Sequence, residues 1–224
     1  LKHAVGRTRR GAHAVRYLVS GSSEEDAGSS CDDVQQRFIA FESATTCVDA
    51  SSRDSRVSTT RLRDGSLTLQ ATFPQLVHGA PSSLSIVSDE AMPSRGRCMW
   101  KVVLSADAAP LYIGVIGAVP MPGGGNAHSA ESSYCWGTAQ WAFVAGAEAK
   151  AHGGWDGWQP EDVAEFAFDR HAHTLCMTRT RGEQRASFRM DGLDPWREWR
   201  VHVCFLHAMK GGARCVTLSQ LDSI

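Results

Sequence analysis

The chain has 224 residues, enough for one large domain or a medium domain with appendages. At this length about 70% of the unfolded surface is buried on folding, so the core needs no disulfide staples. Hydrophobic residues at 42%, charged residues at 21% and a formal net charge of -1 exclude disorder, collagen-like repeats and coiled coil over most of the length, and no nucleic-acid partner is expected.

Residue 1 is Leu, which reads as the start of an excised fragment, a monomeric domain within a larger chain. Residues 1–30 read as a charged flexible arm. Lys2, Arg7, Arg9, Arg10 and Arg16 come without an acid, and Glu24, Glu25, Asp26, Asp32 and Asp33 follow without a base. A solvated tail is preferred over contact with RNA or an acidic membrane. Gly21-Ser22-Ser23 and Gly28-Ser29-Ser30 read as linker. Residues 31–45 are expected to be a short helix and lead-in, with acids at the start of 32–41 and Val34, Phe38 and Phe41 on one face.

From 46 to 224 the grammar is short apolar runs between Gly, Pro, Asp and Ser, which predicts strands and turns. The runs are 66–71, 98–104, 112–116, 141–144, 163–168, 174–178, 199–205 and 214–218. None is long enough for a good helix, no helical segments alternate with them, and no internal repeat is present. An all-β antiparallel β-sandwich or barrel follows, with the short N-terminal helix attached.

The seven cysteines, at 31, 47, 98, 135, 176, 204 and 215, include no Cys-x-x-Cys pair and sit mostly in apolar runs such as Val203-Cys204-Phe205. They read as reduced thiols packed as small hydrophobes, which suits an intracellular, cytoplasmic setting. No apolar h-region follows the basic start, and no run is long enough for a membrane span.

The order of the runs resembles that of SPRY (B30.2-like) domains over about residues 40 to 221. Residues 94–104, with Gly96 and Trp100 followed by Ile113-Gly114-Val115, resemble the family's Gly-x-x-x-Trp-x-Val segment. Tyr134-Cys135-Trp136-Gly137 resembles its central Trp-Gly strand. Residues 161–175, with Asp162, Val163, Asp169 and Leu175, resemble its Gly-Asp-x-Val hairpin. Two departures stand out: Glu161 occupies the place of the family's Gly, and the stretch 145–157 is unusually long. Independently of the likeness, Asp169 ends an alternating strand before a polar run, where its carboxylate can bond turn amides. Trp100, central in its strand, supplies buried area between two sheets.

Motifs that could carry chemistry are incomplete. His171, His173 and Cys176 form one candidate zinc cluster and His202, Cys204 and His207 another, but i, i+2 spacing on a strand gives such clusters without any metal, and no metal or other cofactor is expected. His152-Gly153-Gly154-Trp155 resembles an esterase oxyanion loop, yet no Gly-x-Ser-x-Gly elbow accompanies it, so no enzyme is expected. Pro120-Met121-Pro122-Gly123-Gly124-Gly125-Asn126 lacks the Lys-Ser/Thr ending of a phosphate loop. Trp155 and Trp158 lie in a turn-rich segment and read equally as lids on the core or as anchors for a partner. Trp199 is expected in the core and Trp196 stays undecided.

The resemblance implies a non-catalytic module that binds a short peptide segment of a protein partner through loops at one end of the sandwich, as an adaptor in a larger ubiquitin-ligase or signalling protein. It implies partner contacts from Ser94 and Arg95, from Met121, Asn126 and His128, and from His207 and Met209, with Trp155 and Trp158 if their segment folds over the same end. The alternative reading is a β-sandwich with a zinc or carbohydrate site.

Overall fold

The computed structural model describes residues 37–38, 44–48, 56–73, 83–107, 110–117, 129–150, 154–206 and 212–220. Strict alternation builds the first sheet. In β6 (Arg97–Leu104) Cys98, Trp100, Val102 and Leu104 are buried while Arg97, Met99, Lys101 and Val103 face outward, because a period of two sends successive side chains to opposite faces. Around β6 the strands β3 (Arg56–Arg61), β4 (Leu67–Phe73), β11 (Val163–Asp169), β12 (Thr174–Arg181), β13 (Gln184–Asp191) and β15 (Gly212–Gln220) assemble in the order β13-β12-β11-β6-β15-β4-β3.

The second sheet runs β10-β9-β8-β7-β14-β5-β2. Its members are β2 (Ala44–Val48), β5 (Ser83–Ser88), β7 (Leu111–Gly117), β8 (Ser133–Gly137), β9 (Trp141–Val144), β10 (Ala147–Lys150) and β14 (Trp199–Leu206). β7, Leu-Tyr-Ile-Gly-Val-Ile-Gly, is buried along its whole length, since Tyr112 joins Cys135, Phe143 and Cys204 in a second apolar cluster on the outer side of the sheet. Between the sheets Trp100 stacks on Phe166 with centroids 5.0 Å apart, Trp136 meets Phe166 at 6.0 Å and Phe168 meets Trp199 at 6.4 Å. The architecture is an antiparallel two-sheet sandwich, as the strand-and-turn pattern predicts.

One expectation fails. A helix over 32–41 is incompatible with Arg37 and Phe38, which form a two-residue strand, β1, paired in parallel with Cys98 and Met99. Local periodicity is overridden there by the free backbone edge of β6 beyond the last β15 partner. The rest of that segment, and the arm 1–30, lie outside the described residues.

The two residues singled out in the 161–175 hairpin explain themselves. Asp169 Oδ1 accepts the Ala172 N–H at 2.8 Å and so fixes the β11–β12 turn. Glu161 adopts φ 66°, the left-handed region in which a glycine is comfortable and a side chain is not. The departure from glycine is therefore a local strain at an exposed position. Glu161→Gly is expected to stabilise the domain by about 0.5–1 kcal/mol, raising the thermal midpoint by about 1–4 °C in calorimetry. At Gly137 the requirement is closeness, because a Cβ there would meet the Tyr112 ring at 1.9 Å.

Candidate functional site

Strand direction sorts the connections to two ends. At the upper end β6 and β14 begin and β7, β11 and β13 stop: Arg97 pairs with Asp169, Trp199 with Gly117 and Thr174 with Asp191. Cross-links gather these turns, since Met92 N–H bonds Trp199 O, Arg170 N–H bonds Gly96 O, Leu193 N–H bonds His173 O and Tyr134 O–H bonds Gly192 O. At the lower end β7 begins and β14 stops, with Phe205 opposite Leu111.

The lower end is closed. The segment 154–162 crosses it as a strap whose two indoles point inward, Trp155 at 2% and Trp158 at 3% exposure. Their ring N–H groups bond Gly137 O at 3.1 Å and Trp136 O at 2.7 Å, and the rings meet edge to face at 4.8 Å. From the other sheet Arg179 lies over the Trp155 ring at 5.2 Å and the Phe188 ring at 5.7 Å and pairs with Asp156. Arg181 bonds Asp156 Oδ2 at 2.6 Å, Asp162 Oδ1 at 2.7 Å and Oδ2 at 2.8 Å, and Gly157 O at 2.8 Å. The Asp162 side chain is fully buried and also accepts the Gln159 N–H. Against the cost of its own desolvation, the two guanidinium groups hold the Asp156 carboxyl below the usual carboxylate range.

This corrects one expectation. Trp155 and Trp158 are lids with satisfied ring nitrogens, so they are not surface anchors for a partner.

Among the described residues the upper end has no such strap, and it carries arginines. Ser94 and Arg95 sit exposed in the turn before β6, and Arg97 is exposed at the strand's first position. Arg170, at the head of the β11–β12 turn, lies over the Phe168 ring at 5.9 Å, and its Nε and Nη1 are buried without an acceptor. Burial pulls its pKa down, against the pull of Asp194 in the other direction. Next to it the turn 192–198 presents Trp196, 91% exposed. That turn is fixed from below: Asp194 Oδ1 accepts the Trp196 N–H at 2.9 Å, Asp194 O accepts the Trp199 ring N–H at 2.9 Å, and Arg197 packs where a Cβ on Gly117 would stand.

Sequence reasoning named Ser94 and Arg95 and passed over Arg97 and Arg170. A signal for the latter was present, since Arg170 directly follows the turn-capping Asp169. Met121, Asn126 and His128 lie outside the described residues, in the connection that leaves β7 at the upper end. His207 and Met209 also lie outside them, but their connection leaves β14 at the lower end. Expecting all three loops at one end is thus incorrect: antiparallel β7 and β14 carry their outgoing connections to opposite ends.

The candidate zinc clusters are divided between sheets. His171, His173 and Cys176 belong to the β11–β12 hairpin, whereas His202 and Cys204 are buried in β14, with His202 Nε2 3.3 Å from Ser85 Oγ. Among the described residues no group of three or more His, Cys, Asp or Glu is placed to hold a metal ion. Burial pushes the Cys98 and Cys135 thiols up to about 12 and Cys204 to about 11, which makes them poor nucleophiles. Among the described residues no helix is long and apolar enough to cross a membrane.

No protein-family model matches the sequence, and no curated protein matches it. Solved structures do match the fold. The SPRY domain of human HERC1 is 13% identical over 79% of this chain and 99% of that one, with a TM-score of 0.52. The TRIM65 PSpry domain is 14% identical over 85% and 97%, with a TM-score of 0.50. Stonustoxin is 10% identical with a TM-score of 0.50, and the match covers 84% of this chain but 28% of that one. The protein has a SPRY-like fold.

Proposed function

We propose that the chain is a protein-interaction module that binds a short segment of a protein partner at the upper end of the sandwich and performs no chemistry of its own. The observation that carries this reading is Trp196, an indole left 91% exposed on a turn that its neighbours hold rigid. An anchor already fixed in place loses little conformational freedom on binding, and tryptophan and arginine are the side chains most enriched where binding energy concentrates. Ser94 and Arg95 border the same end and fix the register of the segment by hydrogen bonds; Met121, Asn126 and His128 join from the β7–β8 connection. The connection that carries His207 and Met209 leaves β14 at the other end, so the two are not included in this reading. Within a larger ubiquitin-ligase or signalling chain, such a module acts as the substrate adaptor.

The test is selection of binders from a displayed random-peptide library, followed by affinity measurements on the winners. Trp196→Ala and Arg95→Ala should each weaken binding at least about tenfold, which corresponds to about 1.4 kcal/mol. Trp141→Ala, at the opposite end, should leave it unchanged. Peptides that bind equally to all three variants would move the site away from the upper end.

A further inference from the structure

The guanidinium of Arg170 lies on the inner side of the first sheet at the upper end, over the Phe168 ring at 5.9 Å and beside Cys98. Its Nε and Nη1 are enclosed and find no acceptor, although buried donors in folded proteins are nearly always satisfied. Nη2 is neither enclosed nor bonded within the chain, so it is the nitrogen left to the surface. The turns around it are stitched together: Arg170 N–H bonds Gly96 O, Met92 N–H bonds Trp199 O, and the Trp199 ring N–H bonds Asp194 O at 2.9 Å. The guanidinium therefore has a fixed place beside the turn that carries Trp196.

The described carboxylate that Arg170 feels is Asp194, and its oxygens are engaged elsewhere. Oδ1 accepts the Trp196 N–H at 2.9 Å, and Oδ2 lies 3.9 Å from Arg197 Nε. Two guanidinium groups thus share one carboxylate, and a positive charge is left over. The acceptor best matched to it is a second carboxylate, which takes two parallel N–H bonds from one edge of the guanidinium fork. Nη2 belongs to both edges of that fork. A carboxylate that arrives there gains a second N–H, from Nε or Nη1, after a small rotation of the side chain, a change common at binding surfaces.

We propose that Arg170 determines the specificity of the partner site: the bound segment carries an Asp or Glu whose carboxylate pairs with Arg170 while a neighbouring side chain packs on Trp196. This rests on the reading of the upper end as the partner site and specifies the partner's chemistry. Discrimination works in both directions. An acidic segment satisfies donors that the fold leaves unpaired, whereas an acid-free segment covers them and leaves them unpaired still, so the site rejects it.

The experiment pans a displayed random-peptide library on the full wild-type chain. The probes are synthetic peptides of the winners, amidated at the C-terminus so that only side-chain carboxylates remain, each beside a copy with its acids replaced by Asn or Gln. Binding is measured to wild type, Arg170→Met, Arg170→Lys and Trp196→Ala. Winners should share an Asp or Glu at one position and lose at least about tenfold in affinity when it becomes the amide. Arg170→Met should bind acid and amide peptides alike, and Arg170→Lys, which keeps the charge without the fork, should restore part of the preference. Trp196→Ala should weaken both peptides while the preference for the acid persists. Arg170→Met keeps an alkyl chain over Phe168 and removes the unpaired donors, so its thermal midpoint should equal or exceed that of wild type. A lower midpoint with the acid preference unchanged would assign Arg170 to structure alone and overturn the proposal. Winners that depend on Trp196 but share no acid would overturn the role of Arg170 and keep the peptide site. No winners at all would overturn both readings.

Discussion

Trp158→Ala is expected to destabilise the domain by about 3–5 kcal/mol in chemical denaturation. The side chain is 3% exposed, with its ring against Trp155 and 6.4 Å from Phe166, and the neighbouring rings are held by their own contacts, so a cavity cannot collapse. The change also strips Trp136 O of its ring N–H donor at 2.7 Å. Trp158→Phe separates the two losses: it keeps much of the apolar volume and should cost about 1–2 kcal/mol, near the value of one buried hydrogen bond. Trp196→Ala, at the upper end, should fall within about 0.5 kcal/mol of wild type. A Trp158→Ala cost as small as that of Trp196→Ala would mean that the strap is not part of the core.

Asp162→Ala should cost about 3 kcal/mol or more, because it leaves Arg181 facing a buried space and removes the acceptor of the Gln159 N–H. Replacing both members, Asp162→Ala with Arg181→Met, should recover part of the loss, since no unpaired charge then remains. A double variant no better than the single one would show that the strap depends on the carboxylate itself. Acid acts on the same clasp through Asp156. Its folded pKa is depressed below the ordinary 3.8, so the stabilisation is present above that value and drains away as pH falls through the lower, folded value. Asp156→Asn should therefore flatten the pH dependence of stability below about pH 4 and change it little near neutrality, as a melting series across acid pH would show.

The fold was legible where burial writes itself into the chain. Residues 141–144 coincide with β9, and the runs at 98–104, 112–116 and 199–205 fall inside β6, β7 and β14, strands with many inward side chains. The missed strands include those at or beside an edge. β3, Arg-Val-Ser-Thr-Thr-Arg, and β13, Gln-Arg-Ala-Ser-Phe-Arg-Met-Asp, have neighbours on one side alone among the described strands and so keep polar residues at most positions. β5 was missed for a different reason: Leu84 and Ile86 alternate with serines that are themselves buried between β14 and β2, so hydrophobicity alone underrates it.

The candidate site was half legible. Exposed arginines and indoles can be named from the sequence, but which end of a sandwich they occupy depends on the direction of each strand, and that follows from the pairing of residues far apart in the chain. Trp155 and Trp196 illustrate the limit. Both follow a turn-forming Gly or Pro, yet one finds Gly137 O for its ring nitrogen and the other finds solvent.

The strap binds both sheets at once, through indole N–H groups to β8 and through carboxylates to β12. Mutation meets the two ends unequally as a result. Substitutions in the strap act on folding directly, whereas turns at the other end can drift from one residue to another with little effect on the core. One rim of the sandwich can therefore vary while the opposite rim keeps the domain intact through each intermediate, the division of labour that the proposed partner site requires.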